Sequence, residues 1–380
     1  MATTAKRLTL MALCLILQSL CASLWAVRVG FEGLSDNVSL DLPEEFYVAA
    51  NEGETSFLLE CAVAPVKLIA KVVDDASSPK DALIDAMRKL DLGYSVAGED
   101  DRAALVRLSG TLEGKRVTGW ALVGKDSQAG KGVLLVAWCE KGQQYEFLAE
   151  SIIDSLCTSQ MDFFAPGILT RTLYPDSGER TSVTALIGSK SIESSIDRFA
   201  AQTSERIIDR EYQVLLLYQN SSRWAQAWQR YYRMIFKDSC YRIRRFSLDV
   251  YFALVAECSD ETDFAQRLLT WTQGMSYERR KTTSDFANLP SMLLGGGSDC
   301  DARTMMIAVI LQNSNIDSCI FVSAHHAHAL AGLASDHPGF SFDAGGKSYL
   351  VGETTVPGLT WGIIAQEQTD RSKWIQVLLP

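Results

Sequence analysis

An α+β fold is predicted for this chain, and three features of the sequence predict it. Short alternating or wholly apolar runs, separated by glycine-rich turns, recur between residues 38 and 139. Helical periodicity interrupts them and returns further along. The last third holds one apolar helical segment and then several short strands with tight turns, the order of a helix packed on an antiparallel sheet. The 380 residues suffice for two or three domains. With 47% hydrophobic and 22% charged residues, the composition is that of a globular protein and excludes disordered, collagenous and polytopic membrane classes. A net charge of −10 argues against general nucleic-acid binding, which needs a basic footprint.

Residues 1–26 read as a secretory signal. Lys6 and Arg7 precede an almost entirely apolar stretch, 8–17, and Ser23-Leu24-Trp25-Ala26 offers cleavage after Ala26. The apolar stretch extended to Ala26, residues 8–26, is just long enough to stay as an N-terminal membrane anchor, the alternative expectation. A lipid anchor at Cys21 is disfavoured by the bulky Leu20 before it. Each outcome places the remainder outside the cytoplasm, in the periplasm or cell envelope. No later run is long and apolar enough to span a bilayer. Seven cysteines follow: Cys61, Cys139, Cys157, Cys240, Cys258, Cys300 and Cys319. The odd number predicts a free thiol, with the other six either paired or buried and reduced.

Residues 27–160 predict one small α/β domain. Strands are expected near 38–42, ended by Pro43, and over 56–64, 66–73, 103–110, 115–123 and 132–139. A helix over 81–90 has Leu83, Ile84 and Met87 on one face, and another closes the unit over 145–156. This order, with LDLPEEF near the start and a late helix, weakly resembles the PsbP/DcrB-like domain. The segment holds no histidine and no polar cluster suited to chemistry, so it reads as a binding or spacer domain.

Residues 161–260 read as a mixed helical connector. A helix is expected over 191–201, a strand over 212–218 and a second helix over 222–235. Trp224, Trp228, Tyr231 and Tyr232 recur at helical spacing, the pattern of a core face. Arg242, Arg244 and Arg245 read as a solvated edge.

The chemistry concentrates in 261–380. All four histidines lie between 325 and 337, so any histidine acid–base chemistry is there. A helix is expected over 264–273. Further on, Ala302, Met305, Met306, Val309 and Ile310 recur as in an amphipathic helix, with Ser298 or Asp299 as its N-cap. Cys300 then sits in the first helical turn behind Gly295-Gly296-Gly297. A helix N-terminus lowers a thiol pKa, and its free N–H groups can hold an oxyanion. Strands are expected over 319–323, 328–334, 340–343 and 347–353, the last two joined by a hairpin turn at Ala344-Gly345-Gly346. A nucleophile needs a base in reach, and the base needs an orienting acceptor. Asp343 is a competing carboxylate, but its place beside the glycine turn favours turn chemistry.

GGGSDCDARTMMIAVIL, then HALAGL, then GGKSYLVGETT resembles the transglutaminase-like (papain-like cysteine protease) superfamily, in particular its exported bacterial members. The resemblance covers about residues 260–365. It implies a C-terminal transglutaminase-like core over 261–380 in which Cys300 is the nucleophile, His328 the general base and acid, and Glu353 the orienting carboxylate. Glu353 stands where the commoner residue is Asp. Gln273 and Tyr277, in WTQGMSY, match an upstream helix motif, and Gln273 is expected to add an oxyanion donor. The implied activity is cysteine-dependent acyl transfer on an amide of a protein, a peptide or a cell-wall stem peptide, hydrolysis leading over transfer to an amine. No cofactor is implied. Two other classes fit the same residues: a zinc site built from His326 and His328 with Glu353 or Cys300, and a non-catalytic extracytoplasmic binding module. His325 and His326 read as loop residues near the site, and His337 as exposed in a turn.

Overall fold

A computed structural model describes residues 28–112, 114–128, 130–278 and 284–380. The expected signal or anchor lies outside the described residues. The architecture is mixed α+β with antiparallel sheets. Among the described residues no helix is long and apolar enough to cross a membrane.

The strands, in chain order, begin with β1 (Arg28–Gly30), β2 (Ser39–Asp41), β3 (Phe46–Asn51), β4 (Ser56–Cys61) and β5 (Val66–Val73). Helix α1 (Pro79–Lys89) follows, then β6 (Gly93–Glu99), β7 (Ala103–Leu112), β8 (Lys115–Lys125) and β9 (Gly132–Glu140), and helix α2 (Glu146–Asp154). Strands β3 to β9 form one antiparallel sheet in the order β3-β4-β5-β9-β8-β7-β6. Its side chains alternate between two apolar layers. Val133, Leu135 and Ala137 of β9 face α2 with its Leu148, Ile152 and Ile153. Leu134, Val136 and Trp138 face the side of α1, which contributes Leu83 and Met87. Sequence periodicity missed β3 and β6. Both are edge strands, mostly exposed and paired on one side only, so burial imposes no alternation on them.

Next come β10 (Leu156–Cys157), α3 (Ile168–Leu173), the hairpin β11 (Arg180–Ile187) and β12 (Lys190–Asp197), then α4 (Ala200–Leu216), α5 (Trp224–Arg242) and α6 (Arg244–Leu254). Two expectations are corrected here. Residues 191–201 are mainly strand, because Ile192 and Ile196 are buried in a hairpin turned by Gly188 at φ 60. Residues 212–218 mainly close helix α4, since a short apolar run fits a buried helix face as well as a strand. Tyr231 and Tyr232 of α5 are buried and Trp224 and Trp228 half-buried, a core face as expected. Arg242 is not a solvated edge. It is buried, bonding Asp238 at 3.1 Å and Asp176 at 3.0 Å, while Arg244 and Arg245 are exposed.

Helices α4 and α5 are bolted to α2 and to β2, which pairs with β1 and β10, by buried ions. Arg233 of α5 holds Asp41 of β2 with two bonds of 2.6 and 2.7 Å. Arg230 meets Glu211 at 2.9 Å, and Arg210 bridges Glu211 and Asp154 at 2.8 and 2.9 Å. Removing one partner from such a network would leave a buried charge uncompensated, at a cost of about 3–5 kcal/mol.

The chain ends with α7 (Glu261–Gln273), α8 (Leu289–Leu293), α9 (Cys300–Asn313), β13 (Ser318–Ser323), β14 (His328–Ala334), β15 (Ser341–Ala344), β16 (Lys347–Gly352) and β17 (Ile375–Leu378). The five strands pair in the order β15-β16-β14-β13-β17. Ile320, Val322, Ala329, Ala331 and Leu333 share one core with α9, and Phe321, Leu330, Phe342, Val351 and Trp374 form a smaller layer on the other face. Every residue of α9 from Ala302 to Leu311 is buried, so this helix is enclosed all round rather than amphipathic. One apolar core runs from the face of the seven-stranded sheet under α2, through α5, to α9. All seven cysteines in the described residues are free thiols.

Candidate active site

Helix α9 begins at Cys300 because Asp299 caps it. The Asp299 backbone is extended, and its carboxylate accepts the Ala302 N–H at 2.7 Å and the Ala287 N–H at 2.8 Å. Burial, and then the nearby Asp301 charge, push the Asp299 carboxyl up to about 7. Asp301 accepts the Tyr232 hydroxyl at 2.6 Å, which seats the aromatic face of α5 against the first turn of α9. Cys300 itself is buried.

His328 is the first residue of β14, directly opposite Ser323 at the end of β13. It follows a turn in which Ala327 takes φ 46. Glu353 follows β16, whose Gly352 pairs with Ala331, so the carboxylate lands near the start of β14. His328 Nε2 and Glu353 Oε2 are 2.7 Å apart. The other carboxylate oxygen accepts the Thr355 N–H at 2.7 Å and its hydroxyl at 2.6 Å. Burial alone would raise the Glu353 pKa; the bond and charge of His328, with the Thr355 bonds, hold it below 4.5. With Nε2 turned to Glu353, Nδ1 is the imidazole nitrogen left for proton exchange with a nucleophile.

Connectivity brings α9's first turn to the same end of the sheet. The C-terminal half of α9 meets the start of β13, where the Ser318 hydroxyl donates to the Ala308 carbonyl at 3.3 Å. The strand then runs back along the helix to Ser323. At the opposite end of α9, Arg303 donates to the Thr354 carbonyl at 3.1 Å, one residue past Glu353. The same guanidinium donates to Ser298 Oγ at 2.8 Å and to the Met275 carbonyl at 2.6 Å.

Gln273 is the last residue of α7. Its amide nitrogen donates to the Glu353 carbonyl at 2.9 Å and the Leu359 carbonyl at 3.1 Å, and its oxygen accepts the Gly358 N–H at 3.1 Å. Gln273 thus ties the Glu353 segment to the end of α7. Tyr277 lies over Arg303, 5.3 Å from guanidinium carbon to ring centre.

The zinc arrangement is not what the fold builds. His326 lies in the turn before β14, not on the strand, and stacks on Trp374 at 5.3 Å. Glu353 is committed to His328 and Thr355. Among the described residues no group of three His, Cys, Asp or Glu side chains is arranged to hold a metal ion. His337 is exposed, 3.4 Å from Asp260. Asp343 is exposed and pairs with Ser348 in the β15–β16 hairpin, whose Gly345 and Gly346 take φ 56 and 79.

Sequence reasoning missed Arg303, Thr355 and Trp374. Arg303 carried a signal: it is the one cationic residue of α9, three positions after Cys300 on the same helix face. Thr355 stood beside the acid in GETT. Trp374, whose ring lies 6.4 Å from that of His328, belongs to a loop with no pattern to read.

No family model matches the chain, and no curated protein matches it. Among solved structures, the Ran-binding protein Mog1p of Saccharomyces cerevisiae is 10% identical over 31% of this chain and 78% of that one, with a TM-score of 0.25. A Bacteroides thetaiotaomicron protein is 14% identical over 73% of this chain and 97% of that one, also with a TM-score of 0.25. At that score neither likeness carries an argument about fold or function.

Proposed function

We propose that the chain is an exported cysteine-dependent acyl-transfer enzyme with a transglutaminase-like core, hydrolysing an amide bond in a protein, a peptide or a cell-wall stem peptide. The observation that supports this best is the His328–Glu353 bond of 2.7 Å, with Glu353 fixed again by Thr355. A carboxylate held on one imidazole nitrogen orients the ring and supports its protonated form. In this reading His328 takes the Cys300 proton, and the thiolate attacks the amide carbonyl. His328 then gives the proton to the leaving amine, and water resolves the acyl-enzyme. The backbone N–H groups at the start of α9 would face the oxyanion.

The test is alkylation of the intact protein with iodoacetamide as pH is varied, with the yield at each cysteine read by mass spectrometry. Cys300 should titrate below the free-thiol value of about 8.5 and react faster than the other six. His328→Ala should abolish that advantage. Titration of Cys300 at about 8.5 or above would overturn the proposal. Export is tested separately: the N-terminus of the mature protein should lie near Val27.

A further inference from the structure

The nucleophile turn carries an anion problem. Asp299, the helix cap, and Asp301, in the first turn, flank Cys300 in the chain, so a thiolate there would sit between two carboxyl groups. Tyr232 of α5 and Tyr277 add phenols, and His328 adds an imidazole that is cationic only after it has taken the proton. The helix N-terminus supplies about half a positive charge.

Arg303 supplies a whole one. Side chains on a helix lean toward its N-terminus, so a residue three positions after Cys300 lies back over it. Arg303 is 2% exposed, and its guanidinium donates to neutral oxygens: Ser298 Oγ, the Met275 carbonyl and the Thr354 carbonyl. It forms no salt bridge among the described residues. This contrasts with Arg210, Arg230 and Arg233, each paired with carboxylates. A buried guanidinium without a paired carboxylate is costly, and a nearby anion reduces that cost. Its charge interacts with Tyr277 and Asp299, and then with Cys300 and Glu353. Its bonds also tie together the end of α7, the loop before Cys300 and the segment after Glu353.

We propose that Arg303 is a positioning residue for the Cys300 nucleophile. Its guanidinium stabilises the thiolate electrostatically and locks the nucleophile turn onto the Glu353 segment. The inference rests on the acyl-transfer reading and adds to it a residue that the triad does not contain.

The experiment compares the pH midpoint of Cys300 alkylation by iodoacetamide in the full chain with that of Arg303→Met, Arg303→Gln and Arg303→Lys. Met and Gln are two neutral replacements of similar reach, so one that fails to unfold cooperatively leaves the other to decide. Both should raise the midpoint by about one pH unit or more, the shift expected on losing a close opposite charge. Lys, which keeps the charge, should return it toward the wild-type value. A folded neutral variant with the wild-type midpoint would overturn the inference and leave the acyl-transfer reading intact. A wild-type midpoint at the free-thiol value would sink that reading instead, whatever the variants do.

Discussion

The two large sheets use the same strand period for different ends. In the seven-stranded sheet both faces are apolar, and the two central strands β8 and β9 are buried almost throughout. In the five-stranded sheet the apolar alternation stops at one end. There His328 opens β14 and Glu353 follows β16, and they bond to each other instead of to solvent. A strand interior must satisfy packing on both faces. The first or last residue of a strand is released from that demand while its backbone is still held, which suits a group that must be rigid and reachable.

One buried cysteine lies in the seven-stranded sheet and another opens the helix packed on the five-stranded sheet, and the sharpest test compares them. Cys139 of β9 is 1% exposed and Cys300 is 2% exposed. Burial, with the Glu146 charge, pushes the Cys139 thiol up. Cys300→Ala should reduce amide cleavage at least about 10³-fold, because no other group replaces a covalent nucleophile. Cys139→Ala should leave cleavage unchanged and lower stability by about 1 kcal/mol. Equal activity in the two variants would erase the distinction between the sheets.

Glu353→Gln should come next, with a loss of about 10²–10⁴ in kcat as the imidazole loses its orienting carboxylate. The wild-type pH dependence has a definite sign. The folded-state pKa of Glu353 is depressed below 4.5, so its contribution to stability is present above the unfolded value and is lost as pH falls through the lower folded value. Denaturant midpoints measured between pH 6 and 3 should therefore fall less steeply in Glu353→Gln than in wild type.

Core truncations should separate the sheets by their consequences more than by their cost. Leu83→Ala under the first sheet and Met306→Ala in α9 each remove a fully buried side chain, with an expected loss of about 2–5 kcal/mol. Only Met306→Ala, on the helix that begins with Cys300, should also lower kcat measured well below its melting temperature.

How much of this could be read from the chain differs between the sheets for the same physical reason. Strands β8 and β9 were legible because burial on both faces leaves long apolar runs between turns, and β5 because its buried and less buried positions alternate. Edge strands β3 and β6 were not, since one paired side and an exposed surface select no pattern. At the other sheet, Cys300, His328 and Glu353 stood out through their chemistry and order. The roles of Gln273 and Arg303 did not, because both act through backbone carbonyls of segments distant in sequence. A carbonyl acceptor has no residue type, so it leaves no trace in the sequence. The aromatic stripe of α5 was legible as core, yet its bond from Tyr232 to Asp301 could be seen only once the fold brought α5 against α9.

The smallest predicted effect tests whether an edge is really free of constraint. Val96 lies on β6 at the margin of the seven-stranded sheet, 49% exposed, next to an irregularity in its pairing with β7. Val351 lies on β16 between two neighbours in the five-stranded sheet and is fully buried against Phe342 and Trp374. Replacing Val by Thr keeps the β-branched shape in both places and adds one hydroxyl. At Val351 that hydroxyl enters an apolar layer, with an expected cost of about 1–3 kcal/mol. At Val96 water can satisfy it, and Thr fits a strand as well as Val does, so the change should stay within about 0.5 kcal/mol. Chemical denaturation of the two variants measures both. A loss at Val96 comparable to that at Val351 would mean that β6 is covered in solution, and its missing alternation would then need another cause.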